Sequence, residues 1–169
     1  MSGVVEPTVR IGALPNGALV ITEPMTHVRS VALGIWVRVG SRDEPPARAG
    51  ISHFIEHMLF KGTATRSAEE IARAIDAVGG TLDAFTSREH TCFYAKVLGE
   101  HLPLAVELLA DVLLHSRLDP ADVDKERQVI RQEIEMVEDT PDDLVHDLFA
   151  ESVWGDHPLG RPRASSARI

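Results

Sequence analysis

The run His53-Phe54-Ile55-Glu56-His57 spaces two imidazoles and a carboxylate so that one turn of helix can aim all three at a single point. Residues four apart share a helix face, so His53 and His57 can reach one ion with Glu56 beside them. The order H-x-x-E-H reverses the zinc motif H-E-x-x-H, and either order presents ring nitrogens suited to a divalent zinc ion. The same five residues also suit an ordinary helix carrying two surface or core histidines. Their surroundings favour the ligand reading: Ile51, Phe54, Ile55, Met58, Leu59 and Phe60 make the segment apolar. Ionisable groups in such a segment are costly unless they are paired or hold a metal.

A zinc site that keeps one position open for water needs a third protein ligand. A helix predicted over Pro120 to Glu138 offers candidates. At 100° per residue its apolar stripe is Val123, Ile130, Ile134 and Val137, and Glu126 and Glu133, seven apart, lie on nearly one azimuth at the edge of that stripe. Asp122, Asp124, Glu135 and Glu138 suit a solvated face or a helix end. Carboxylates aligned with a core-facing stripe are unusual for a surface helix. Two readings stay open from the helix alone: inward ligands, or side chains that snorkel to water or pair with Arg127 or Arg131.

The elements that must position these residues follow from pattern. Val9 to Leu14 and Ala18 to Thr22 flank Pro15-Asn16-Gly17, and Asn-Gly between apolar runs predicts a hairpin. Val31 to Arg38 is rich in β-branched and aromatic residues and predicts a strand. The motif helix is predicted over about Ala49 to Phe60, with Gly62 as its stop. Ser67-Ala-Glu-Glu70 is a capping box that opens a second helix ending at Gly79-Gly80. Strands are predicted at Thr81 to Thr86 and His90 to Leu98, then helices at Leu102 to His115, Pro120 to Glu138 with Asp119 as N-cap, and Asp142 to Glu151. Strands grouped apart from helices predict an α+β fold, mostly antiparallel, with helices packed on one face of the sheet.

Composition narrows the function. The 169 residues suit one domain with a real core. Seventeen basic against 26 acidic residues give a net charge of −9, which argues against nucleic acid or an anionic membrane surface as partner. No run approaches the length of a membrane span, and the N-terminal Met1 to Arg10 has no apolar signal core. One cysteine, Cys92, excludes an internal disulfide and reads as a small buried apolar residue, so a reducing, cytoplasmic setting is expected. His27, His90, His101, His115 and His146 receive no role, and His157 in its Gly/Pro loop suits a structural hydrogen bond.

His53-Phe-Ile-Glu56-His57-Met-Leu-Phe-Lys-Gly-Thr63 resembles the motif segment of the pitrilysin family, the inverzincins that include insulin-degrading enzyme and the mitochondrial processing peptidases. Glu126-Arg-Gln-Val-Ile-Arg-Gln-Glu133 resembles that family's distal acidic segment. Gly79 to Ser87 resembles its glycine-led edge strand, and Gly155-Asp-His-Pro-Leu-Gly-Arg161 its late loop. The resemblance runs from about residue 10 to 162. It implies one Zn²⁺ per chain held by His53, His57 and Glu133, with Glu56 as general base and Glu126 behind the ligands. It also implies that a peptide substrate adds as a strand along Thr81, Leu82, Asp83, Ala84, Phe85 and Thr86. Asp83 departs from the Asn that many relatives carry. Relatives have two homologous halves and this chain ends inside the first, at Arg163 to Ile169, so a single zinc-peptidase domain over 1–169, truncated and without its second half, is expected.

The implied function is zinc-dependent endoproteolysis of peptides or unfolded segments, by this chain or by a larger protein of which it is the catalytic part. The alternatives are a non-catalytic binding or assembly subunit and an inactive zinc-binding fragment of the same fold. The intact motif favours the enzyme.

Overall fold

The computed structural model describes residues 9–161. Two compact units divide the chain at Ser30. The first holds a two-stranded antiparallel hairpin, β1 (Arg10–Ala13) and β2 (Leu19–Thr22), with Arg10 opposite Thr22 and Ala13 opposite Leu19. Its turn forms where Asn-Gly predicts one. Gly17 takes a φ of +86°, which a side chain would resist, and Asn16 Oδ1 accepts from Ala18 N at 3.1 Å.

The second unit carries the remaining elements. β3 (Ser30–Val37) leads to α1 (Ile51–Leu59) and α2 (Ala68–Asp76), then to β4 (Thr81–Thr86) and β5 (Thr91–Leu98). Three helices follow: α3 (Leu102–His115), α4 (Pro120–Glu138) and α5 (Pro141–Trp154). The three strands form one sheet in the order β3-β5-β4, with β4 antiparallel to β5 from Thr81 opposite Lys96 to Thr86 opposite Thr91. β4 is therefore an edge strand among the described residues. Period-two alternation sends Phe93, Ala95 and Val97 of β5, with Leu82 and Ala84 of β4, into a core shared with Ile75 of α2 and Ala105, Leu108 and Leu109 of α3. Trp36 and Phe85, alternating with those positions, are exposed on the opposite side. The α+β fold with helices on one face is thus present.

A second cluster joins the motif helix to the acidic one. Phe54 and Met58 of α1, four apart, pack on Ile130 and Ile134 of α4, four apart, with Val123 alongside. The α4 start matches its predicted cap: Asp119 accepts from Ala121 N at 2.9 Å and Pro120 opens the helix. Ser67 and Glu70 form the predicted capping box of α2. Three helices differ from their predicted bounds, α2 by ending at Asp76, short of the predicted Gly79-Gly80. α1 begins at Ile51, because Gly50 sits at φ +92° and cannot extend the helix backwards. α5 runs three residues further, to Trp154, where Gly155 ends it. No helix among the described residues is long and apolar enough to cross a membrane.

The segment after α1 is tied to α3 through a buried acid. Asp111, 8% exposed at its side chain, accepts from Thr63 Oγ1 at 2.8 Å, from Arg66 Nη1 at 2.9 Å and from Thr65 Oγ1 at 3.1 Å, with His115 Nδ1 at 3.2 Å. Burial pushes its carboxyl up, but the bonds from Arg66, Thr63 and Thr65 outweigh that and hold it below the ordinary value. A depressed folded-state pKa contributes stability that is present above the unfolded carboxylate value, about 4, and lost as pH falls through the folded value. Asp111→Asn should therefore cost about 3 kcal/mol at pH 7. Urea unfolding should show that difference shrinking below about pH 4; a difference that persists unchanged in acid would show the charge to be irrelevant.

Candidate metal centre

Helix α1 carries the three residues of the motif, and its seam with α4 fixes their direction. The residues that follow His53 and His57, Phe54 and Met58, are buried in the seam, which brings the two imidazoles to its rim. On α4 the same register places Glu133 beside Ile134 and Glu126 one turn before Ile130. Two helices packed through apolar pairs at the same spacing thus present their polar neighbours to one another.

The donors converge. His53 Nε2 and His57 Nε2 lie 3.1 Å apart, Glu133 Oε2 lies 3.4 Å from His57 Nε2 and 3.7 Å from His53 Nε2. One ligand atom from each of these residues falls within 4.8 Å of the others. Tetrahedral zinc with bonds of 2.0–2.1 Å to nitrogen and oxygen requires ligand atoms roughly 3.3 Å apart. The observed triangle fits that figure on each side. Two imidazoles and a carboxylate are also the donor set of hydrolytic zinc sites that leave a fourth position open.

Behind the triangle sits Glu126, 3% exposed. Its Oε1 accepts from His57 Nδ1 at 2.8 Å, and its Oε2 pairs with Lys61 Nζ at 2.5 Å. With the hydrogen on Nδ1, His57 turns the lone pair of Nε2 toward Glu133 and His53. Lys61 offsets the buried charge of Glu126, so the carboxylate need not be compensated by His57 alone.

Glu56 occupies the other flank of α1. Thr86, the last residue of β4, donates its hydroxyl to Glu56 Oε2. Thr86 is itself 3.4 Å from Thr91 Oγ1, and Thr91 donates to Val39 O at 2.9 Å. Burial pushes the Glu56 carboxyl above its ordinary value; Asp83 and Glu133 push the same way, while Thr86 and His57 pull it back. β4 alternates: Leu82, Ala84 and Thr86 turn inward, and Thr81, Asp83 and Phe85 are exposed. A groove of 480 Å³ runs beside the strand, lined by Phe60 of the segment after α1, Ile71 and Ile75 of α2, and Thr81 to Asp83.

The structure brings His53, His57 and Glu133 together in the triangle, with Glu126 behind it and Glu56 beside it; of the strand Thr81 to Thr86, Thr86 reaches Glu56, whereas Thr81 to Asp83 line the groove with Phe60, Ile71 and Ile75. Sequence reasoning missed Lys61 and Glu44, and gave Thr86 no role toward Glu56. Lys61 and Thr86 lie within the segments already singled out, but their roles are contacts with other elements, for which a single sequence gives no spacing signal. The bonds of Glu44 are described below. Among the histidines without a role, His157 accepts from Leu159 N at 3.2 Å, the structural bond its loop suggests. Cys92 is buried.

Comparison with known proteins agrees with this geometry. Residues 19–166 match the family described as insulinase, peptidase family M16. A protein of Mycobacterium tuberculosis named an uncharacterized zinc protease is 55% identical over 155 residues, covering 92% of this chain and 35% of that protein. The Bacillus subtilis protein YmxG, named likewise, is 52% identical over 147 residues, covering 87% of this chain and 36% of that one. The crystal structure of a protease from Helicobacter pylori matches with a TM-score of 0.87 at 26% identity, over 95% of this chain and 39% of that chain. The chain therefore spans little more than a third of the length of these relatives. With a family match that runs through both the motif helix and the distal acidic helix, this chain belongs to the insulinase family of peptidases, M16.

Proposed function

We propose that the chain is the zinc-holding catalytic part of an endopeptidase that hydrolyses peptides or unfolded segments. The observation that carries this reading is the triangle of His53, His57 and Glu133, with Glu56 held on its flank by the edge strand. His53 Nε2, His57 Nε2 and a Glu133 oxygen would hold one zinc ion. When bound, zinc supplies Lewis acidity that lowers the pKa of water and polarises a carbonyl.

The chain's own groups do the rest. Glu56 is adjacent to the ligands but is not one of them. Thr86 holds its Oε2, and the other oxygen would serve the proton transfer. Glu56 takes the proton of the attacking water and then delivers it to the leaving amine nitrogen. Glu126 keeps His57 in the tautomer a metal requires, and Lys61 keeps Glu126 in place. The substrate adds to the open edge of β4 through backbone hydrogen bonds, a mode that admits varied sequences, with alternate side chains directed into the adjoining groove or away from it. The relatives are almost three times as long as the matched region, and the further length is where a second homologous half would lie and close over the peptide.

Metal analysis of the dialysed protein should find about one zinc per chain. His57→Ala and Glu133→Ala should lose it, and Glu126→Gln should bind it roughly 10–100-fold more weakly. Retention of zinc at parental affinity by the two alanine variants would displace the assignment.

Glu56→Gln should keep its zinc and lose on the order of 10²–10⁴-fold in peptide hydrolysis. Unchanged turnover would take Glu56 out of the mechanism.

Strand addition is tested with peptides N-methylated at alternate positions. Blocking the amides that face β4 should abolish binding, whereas blocking the intervening amides should leave it. Equal loss in both series would count against this edge.

A further inference from the structure

Glu44 is a carboxylate only 6% exposed, in the loop between β3 and α1, with no place in the chemistry above. Both of its oxygens accept from the backbone at the start of the motif helix: Oε2 from Gly50 N at 2.6 Å and Oε1 from Ser52 N at 2.8 Å. That helix has no cap of its own. Its N-cap is Gly50, without a side chain, and its first turn contains no acidic residue. Glu44 thus supplies from six residues upstream what an N-cap side chain normally supplies, together with a negative charge at the positive end of the helix. The next residue after this clamped turn is His53.

The loop that carries Glu44 is itself fixed on two sides. Ser41 N and Arg42 N donate to Ser87 O and Arg88 O, at 3.2 and 2.9 Å, in the turn that follows β4. Gly40 lies so close to that turn that a Cβ there would be 2.5 Å from Ser87 O. From the other direction Arg161 Nη1 donates to Glu44 O at 2.8 Å. The β4–β5 turn, the late loop and the motif helix therefore meet at one loop, Gly40 to Glu44, with the late loop and the helix both bonded to Glu44 itself.

We propose that Glu44 is a positioning residue of the metal centre, a remote cap that sets the first turn of α1 and through it the ring of His53. The inference rests on the zinc reading above. His57 stands a full turn later and is held by Glu126 as well as by the α4 seam, so loss of Glu44 loosens the turn that carries His53 more than the turn that carries His57. Glu44→Gln replaces one acceptor by an amide donor facing a backbone N–H. Glu44→Asp keeps the charge but is one methylene too short to reach both N–H groups.

The test uses the full chain, with zinc affinity measured by chelator competition and the visible spectrum of the cobalt-substituted protein as a report of ligand geometry. Leu108→Ala, in the core away from the metal, is the control for lost stability alone. Glu44→Gln should bind zinc roughly 10–100-fold more weakly with an altered cobalt spectrum, Glu44→Asp should fall between it and the parent, and Leu108→Ala should match the parent in both. If Glu44→Gln does not fold, Glu44→Asp carries the comparison. Parental affinity and spectrum in the Glu44 variants, or an equal change in Leu108→Ala, would overturn the role of Glu44 while leaving the zinc site standing. A parent that binds no zinc would overturn both.

Discussion

The site depends on one apolar contact, the packing of Phe54 and Met58 on Ile130 and Ile134. Each pair is spaced by four, so the rotation that buries it also fixes the azimuth of its neighbours. On α1 the histidines precede the buried residues by one position, and on α4 Glu133 precedes Ile134 by one. The seam cannot be closed in this register without bringing an imidazole pair against a carboxylate. Polar convergence follows from hydrophobic register, which is why a large-to-small change at Met58, 1% exposed, would loosen the triangle of His53, His57 and Glu133 without altering any of the three.

That convergence has an electrostatic cost. Glu56, Glu126 and Glu133 gather around two imidazoles and one lysine, and carboxylates brought out of water repel one another more strongly than they do in solution. Lys61 answers Glu126 directly. Glu56 is pushed up chiefly by its own burial, and the Thr86 hydroxyl and His57 offset part of that push.

The parts legible from sequence are those whose signal is local and periodic. His53, Glu56 and His57 sit within one helical turn. The α4 stripe and the paired glutamates at its rim share one helix, and Asp119-Pro120, Ser67 to Glu70 and Asn16-Gly17 carry their own capping and turn chemistry. Choosing Glu133 over Glu126 as the candidate ligand was not legible in this way; the helix alone leaves both open, and the family resemblance separated them. Glu44, Lys61, Thr86 and Arg161 act across 6, 65, 30 and 117 residues of chain respectively. A contact of that kind leaves no periodicity behind. The bounds of α1 and α5 differ for a related reason: Gly50 and Gly155 each adopt a positive φ that glycine permits but does not require, so neither the start of α1 nor the end of α5 was marked by residue type alone.

The motif helix is short, nine residues, and helices of that length are marginal in isolation. Its persistence must come from its surroundings. Glu44 holds its first turn, the α4 seam holds one side, Thr86 holds Glu56 on another, and beyond its end the segment from Thr63 to Arg66 is bound to Asp111. Ser116 adds a bond to Met58 O at 3.4 Å. These restraints come from different parts of the chain, so the conformational entropy of the ligand turn is removed as the domain folds and not when an ion arrives. A site assembled in this order selects its ligand by geometry already in place, and the backbone ordering that a flexible loop would undergo on binding is absent from its affinity.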